Sequence, residues 1–200
     1  MDMSGWSWST LSAWAIGLCW GLFAVVWVTG AVYNAMRAPA TRQRSMASYW
    51  WILVLPLWLI GRELPAGDWR WGLVGASWVR VLGLVVLVVG TAFTLWARGV
   101  LGTMWSSSVV VKHDHELRTD GPYAITRHPI YTGLLGMLLG TVLLTGVGPW
   151  TAVFVLGVLL LELKIHGEER LLVTAFPVEY QRYRRQVPQL IPGAAVLRNR

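Results

Sequence analysis

The sequence predicts an all-α fold, a polytopic membrane helix bundle of about five transmembrane helices. Composition comes first: 55% of the 200 residues are hydrophobic and only 14% are charged. A soluble domain of this size carries roughly a quarter charged residues. Next, the apolar residues are gathered into runs that approach the ~20 residues needed to cross a bilayer. Finally, the charges collect in the gaps between those runs, where membrane proteins keep their loop charges.

Residues 11–36 form the first run. No basic residue precedes it and it is too long for a signal peptide, so it is expected to remain as a true span. Residues 46–60 form a shorter run containing Pro56, which neighbouring helices can accommodate in a membrane. Residues 79–97 are almost pure Val, Leu and Gly. A polar stretch, 98–129, follows with no run long enough to span. The runs 130–147 and 150–165 come last, separated by the breaker Gly148–Pro149, so they are expected to be antiparallel neighbours. The chain divides into an N-terminal membrane region, residues 1–100 with three spans, and a region carrying the chemistry, residues 101–200.

Charge placement orients the bundle. Arg37, Arg42 and Arg44 follow the first span, Arg98, Lys112, Arg118 and Arg127 the third, and Arg170, Arg182, Arg184, Arg185, Arg198 and Arg200 the fifth. The alternate side holds Arg62 and Arg70, offset by Glu63 and Asp68. An outside N-terminus and a cytoplasmic C-terminus satisfy this asymmetry. The net charge of +7 therefore reads as topology and not as a nucleic-acid surface. Trp50, Trp51, Trp69, Trp71 and Trp78 sit near span ends as interfacial anchors, while Trp20 and Trp27 are mid-span and read as packing. The single Cys19 lies in an apolar run, which excludes a disulfide framework.

Two polar clusters stand out. Around the fourth span's entry the chain reads HELRTDGPYAITRHPIYTG (residues 115–133), with Gly121-Pro122 marking a turn and Pro129 suited to the first helical turn. At the end of the fifth run, Glu162 and His166 share one helix face, and Lys164 and Glu168 another. Ionisable groups at membrane depth are costly and normally face the bundle interior. A tight hairpin brings Arg127–His128 and Glu168–Glu169 to the same side of the membrane. The alternative is a helix end anchored by interfacial residues. His113, Asp114 and His115 are consecutive, a spacing that rarely directs three ligands at one ion, so no metal is expected. Phe176, Tyr180 and Tyr183 are at helical spacing, with Arg182, Arg184 and Arg185 around them. That segment reads as an amphipathic helix on the membrane surface, either an anchor or a gate to the site.

The 115–133 block, the hairpin, and then EERLLVTAFPVEYQRYRRQVPQLIP (residues 168–192) together resemble the isoprenylcysteine carboxyl methyltransferase family and its phospholipid methyltransferase relatives. LGTMWSSSV, residues 101–109, is similar to the segment the family carries just upstream. The resemblance spans residues 101–192. It implies an integral membrane, S-adenosylmethionine-dependent methyltransferase with a cytoplasmic-facing cofactor pocket. The acceptor it implies is a lipidic or prenylated small molecule reached from the membrane lipid.

The same resemblance gives cofactor contacts to His115, Glu116, Leu117, Arg118, Tyr123, His128, Pro129, Ile130, Tyr131 and Glu168. It makes Arg127 and Glu169 residues needed for activity. Lys164 stands where the eukaryotic enzymes have an Arg implicated in substrate contact. Lys keeps the charge but loses the planar fork. Sterol-type membrane reductases, which use a nicotinamide cofactor, share a segment similar to GPYAITRHPIYTG and are the alternative reading.

Overall fold

The computed structural model describes residues 8–37, 76–102, 117–146 and 148–194. All regular structure among them is helical: α1 (Trp8–Arg37), α2 (Ser77–Leu101), a 3₁₀ turn (Gly121–Ala124), α3 (Pro129–Thr145), α4 (Pro149–Ala175) and α5 (Glu179–Gln186). Three helices are long and apolar enough to cross a membrane, in the stretches Trp8–Tyr33, Ser77–Leu101 and Trp150–Ala175, and α3 is a shorter apolar helix. Four of the five expected spans are thus placed as helices. The fifth, residues 46–60, lies outside the described residues, as do Trp50, Trp51, Trp69 and Trp71.

The helix boundaries follow from local chemistry. Gly102 ends α2 with φ 49°, a conformation that suits glycine. Pro129 is the first residue of α3, where its missing amide costs nothing. Gly146, at φ 93°, closes α3, and Pro149 opens α4. The Gly148 amide donates to Thr151 Oγ1 at 3.2 Å, satisfying one of the donors a helix start leaves open. The hairpin predicted from Gly148–Pro149 is therefore present. α4 is longer than the apolar run, because Glu, Lys and Arg are good helix formers and carry it through the charged cluster to Ala175.

Packing is dominated by α2 against α3. A Cβ on Gly90 would lie 2.8 Å from the Gly133 carbonyl and the Met137 amide nitrogen. One on Gly140 would lie 2.8 Å from the Gly83 carbonyl oxygen. The two backbones touch through glycines, the usual way membrane helices associate where lipid offers no hydrophobic drive. α1 lies over this seam. Its Ala15, Ile16, Cys19, Trp20 and Phe23 pack on Leu87, Met137 and Leu144. The Trp20 indole donates to Thr141 Oγ1 at 3.1 Å, which explains a mid-span tryptophan. Leu18, Val28 and Leu163 are among the large apolar side chains that face outward, as a lipid-contacting surface requires.

The seam gives a direct test. Gly140→Ala is expected to destabilise the protein by about 1–3 kcal/mol, the cost of overpacking a tight contact. Gly99→Ala, where a Cβ meets nothing within 4 Å, is expected to change stability by less than about 1 kcal/mol. Thermal unfolding in detergent measures both, and equal melting temperatures would rule out the glycine seam.

Candidate functional site

The site forms where the loop before α3 meets the last turns of α4. One face of α4, including the buried Leu161 and Ile165, turns toward the bundle, and Glu168 and Glu169 continue that face to its polar end. Arg127 and His128 come from the loop, and Tyr131 from the first turn of α3.

Arg127 is the most heavily engaged side chain. Nε and Nη2 donate to Glu169 Oε1 at 2.9 and 2.7 Å. Nη1 donates to the carbonyls of Val187 at 2.6 Å and Arg184 at 3.3 Å. The pair is nearly closed to solvent, with side-chain exposures of 8% for Arg127 and 13% for Glu169. Glu169 also has Arg184 Nε at 3.6 Å and His128 Nε2 at 3.5 Å, so three nitrogen-bearing groups surround one carboxylate.

Glu168, one residue on, faces a different set. It accepts from the Tyr131 hydroxyl at 2.6 Å, and Lys164 Nζ lies 3.8 Å away, one helical turn back. His128 Nδ1 is 3.7 Å from its other oxygen. The His128 ring stacks on Tyr131 at 5.6 Å, and Lys164 Nζ sits 5.2 Å from the Tyr131 ring centre, in cation–π range. His128 Nε2 is buried and forms no hydrogen bond. The carboxylates divide their work: Glu169 is locked into an ion pair, and Glu168 meets a cluster of aromatic and cationic groups.

The predicted residues distribute unevenly over this geometry. Arg127, His128, Tyr131, Lys164, Glu168 and Glu169 are in direct contact with one another. Tyr123 borders them in the 3₁₀ turn; burial raises its phenol above the ordinary value, with Tyr183 and Glu168 adding to the shift. Pro129 is buried, and the Ile130 carbonyl faces α2, accepting from Thr94 Oγ1 at 3.5 Å. Leu117 packs with Tyr180, Tyr183 and Val187 in a hydrophobic cluster. Arg118 sits 3.9 Å from Asp120. His115 and Glu116 lie outside the described residues, as do His113 and Asp114. Among the described residues no group of three His, Cys, Asp or Glu is arranged to hold a metal ion.

Two features differ from the sequence reading. Glu162 and His166 pair with each other at 3.7 Å on the outer surface, with side-chain exposures of 42% and 69%, and do not face the bundle interior. They stand two residues from Lys164, which rotates them about 200° around the helix from its face. The aromatic face of α5 is also not free to lie on a membrane. Tyr180 and Tyr183 are buried against Leu172, Val173 and Phe176, and the exposed face carries Arg182 and Arg185.

Sequence reasoning included the segment after α5 in the 168–192 block but gave its residues no role. The Arg127 amide donates to the Pro188 carbonyl at 2.8 Å, the His128 amide to Gln189 at 3.2 Å, and Thr132 Oγ1 to Leu190 at 2.7 Å. These residues carry no chemical signature, since only their carbonyls are used.

Residues 81–174 match the model of the isoprenylcysteine carboxyl methyltransferase family. The chain is 31% identical over 138 residues to the cobalt-zinc-cadmium resistance protein CzcN of Cupriavidus metallidurans, covering 68% of this chain and 60% of that protein. It is 42% identical over 80 residues to the protein-S-isoprenylcysteine O-methyltransferase of Schizosaccharomyces pombe, covering 40% of this chain and 34% of the yeast protein. A solved structure of a eukaryotic intramembrane Ras methyltransferase shares the fold, with a TM-score of 0.59 and 22% identity over 90% of this chain and 68% of that one.

The geometry makes Arg127 a structural joint. Arg127→Lys, which keeps the charge but not the fork, is expected to destabilise the protein by about 1–3 kcal/mol. Glu162→Gln, in the exposed pair, is expected to stay within about 0.5 kcal/mol of wild type. Equal thermal stability of the two variants would contradict the joint.

Proposed function

We propose, for a chain whose residues 81–174 belong to the isoprenylcysteine carboxyl methyltransferase family, that it is an integral membrane methyltransferase. In this reading it moves a methyl group from S-adenosylmethionine to a lipidic or prenylated acceptor of the isoprenylcysteine carboxylate type. The observation that carries it is the cluster formed by Glu168, Tyr131, His128 and Lys164. The family match falls on the methyltransferase side of the two readings, away from a nicotinamide-dependent reductase.

The residues fit such a cofactor. Its cationic sulfonium and ammonium groups suit Glu168, and its adenine suits the aromatic rings of Tyr123 and Tyr131. His128 Nε2 is buried without a hydrogen bond, with Glu169 Oε1 3.5 Å away, and is proposed to meet the cofactor. His115, Glu116, Leu117, Arg118, Pro129 and Ile130 complete the proposed contacts. When bound, the cofactor supplies an electrophilic methyl group. The protein's task is to align two ligands and exclude water.

Arg127 and Glu169 remain the residues proposed to be needed for activity, and their mutual pairing suggests the route. They hold the loop of His128 and the last turns of α4 at fixed separation, so that the cluster keeps its shape. Lys164 is proposed to meet the acceptor carboxylate. The acceptor enters laterally from the bilayer and the cofactor from the cytoplasm, with the N-terminus outside and the C-terminus inside. A reporter fused after Arg200 is then expected to be cytoplasmic and one inserted at Gly67 external; the reverse pattern would overturn this orientation.

Calorimetry on detergent-purified protein tests the reading. S-adenosylmethionine is expected to bind and a reduced nicotinamide dinucleotide not to. Glu168→Gln is expected to weaken that binding by about 1–3 kcal/mol, the range for losing a charged contact. Labelled-methyl transfer to a farnesylated cysteine then tests the acceptor. Nicotinamide binding in place of S-adenosylmethionine binding would sink the proposal.

A further inference from the structure

Tyr183 lies within the 168–192 block, but the resemblance gives it no role. It sits on α5, sixty positions from the 3₁₀ turn, and its side chain is 6% exposed. Its hydroxyl donates to the main-chain carbonyl of Tyr123 at 2.6 Å. The turn's own amide bonds converge elsewhere: the Tyr123 amide goes to Asp120, and those of Ile125 and Thr126 both go to Pro122. The Tyr183 phenol is thus the side chain that takes up the Tyr123 carbonyl.

We infer that Tyr183 is a positioning residue. Its hydroxyl fixes the 3₁₀ turn so that the Tyr123 ring stands as a wall of the cofactor site beside Glu168. This rests on the proposed methyltransferase reading for the identity of the ligand, and on the geometry alone for the clasp.

The chemistry supports a role held through the hydroxyl. Burial raises the Tyr183 phenol above its ordinary value, so it stays a neutral donor at and well above neutral pH. The ring is seated among Tyr180, Val187, Leu117 and Leu172, which keeps the donor aimed and limits its rotamers. Removing the hydroxyl would leave a carbonyl without its partner and the ring packing intact. Tyr180 is an internal comparison. It is on the same helix, 1% exposed, and its hydroxyl is buried without a hydrogen bond.

The test compares Tyr183→Phe with Tyr180→Phe in the full chain, both isosteric enough to keep the hydrophobic cluster. Hydrogen exchange at amides 121 and 123–126, followed without any ligand, is expected to speed up about 3–10-fold in Tyr183→Phe, the factor for losing one buried hydrogen bond. It is expected to be unchanged in Tyr180→Phe. In the same variant the Kd and KM for S-adenosylmethionine are expected to rise about 3–10-fold, with kcat on a farnesylated cysteine within about twofold. A residue that only stabilised the fold would lower the melting temperature without this split. Unchanged exchange at these amides overturns the clasp. Faster exchange with unchanged cofactor affinity overturns the positioning of Tyr123. Wild-type protein that binds no S-adenosylmethionine overturns the methyltransferase reading, while the exchange measurement still decides the clasp.

Discussion

The ion pair of Arg127 with Glu169 is the constraint on which the rest of the polar half depends. Two opposite charges almost closed to solvent are costly to desolvate and persist only when their remaining hydrogen-bonding groups are satisfied. Here they are satisfied by the chain itself. Arg127 uses the carbonyls of Val187 and Arg184, and Glu169 has Arg184 on its second oxygen. One guanidinium thereby ties together three pieces of chain that are far apart in sequence: the loop before α3, the end of α4 and the segment after α5.

Below this joint the bundle is held by a different physics. The α2–α3 seam relies on glycines that let two backbones touch. A seam of that kind fixes the height of α3 relative to α2, and so fixes where Arg127 and His128 emerge. Above the joint, hydrogen bonds from Thr132, Arg127 and His128 to carbonyls of residues 187–190 hold the C-terminal segment against the start of α3. The apolar and polar halves meet at Pro129, which belongs to both.

Much of this was legible in the sequence, and the exceptions have physical reasons. The apolar runs located α1, α2, α3 and α4, and Gly148–Pro149 located the hairpin, because lipid exposure leaves a one-dimensional signature in hydropathy. The contact of Arg127–His128 with Glu168–Glu169 followed from the hairpin alone. The outward pairing of Glu162 with His166 did not, because helical spacing shows which residues share a face but not which face is inside. For the same reason an amphipathic α5 was legible while its partner was not: Tyr180 and Tyr183 found protein where lipid was expected. The carbonyls of residues 187–190 were invisible in principle, since any residue type presents one.

α4 runs unbroken through its charged end. At ~1.5 Å of rise per residue, its 27 residues measure about 40 Å, against a hydrocarbon core of ~30 Å. Counted from Pro149, Lys164 stands at about 22 Å and Glu168 at about 28 Å on the same ~1.5 Å rise. With Pro149 at one boundary, Lys164 falls short of the other and Glu168 lies close to it. In the proposed reading, the acceptor at Lys164 keeps its apolar portion in the membrane while the cofactor is held at Glu168, about 6 Å farther along the helix.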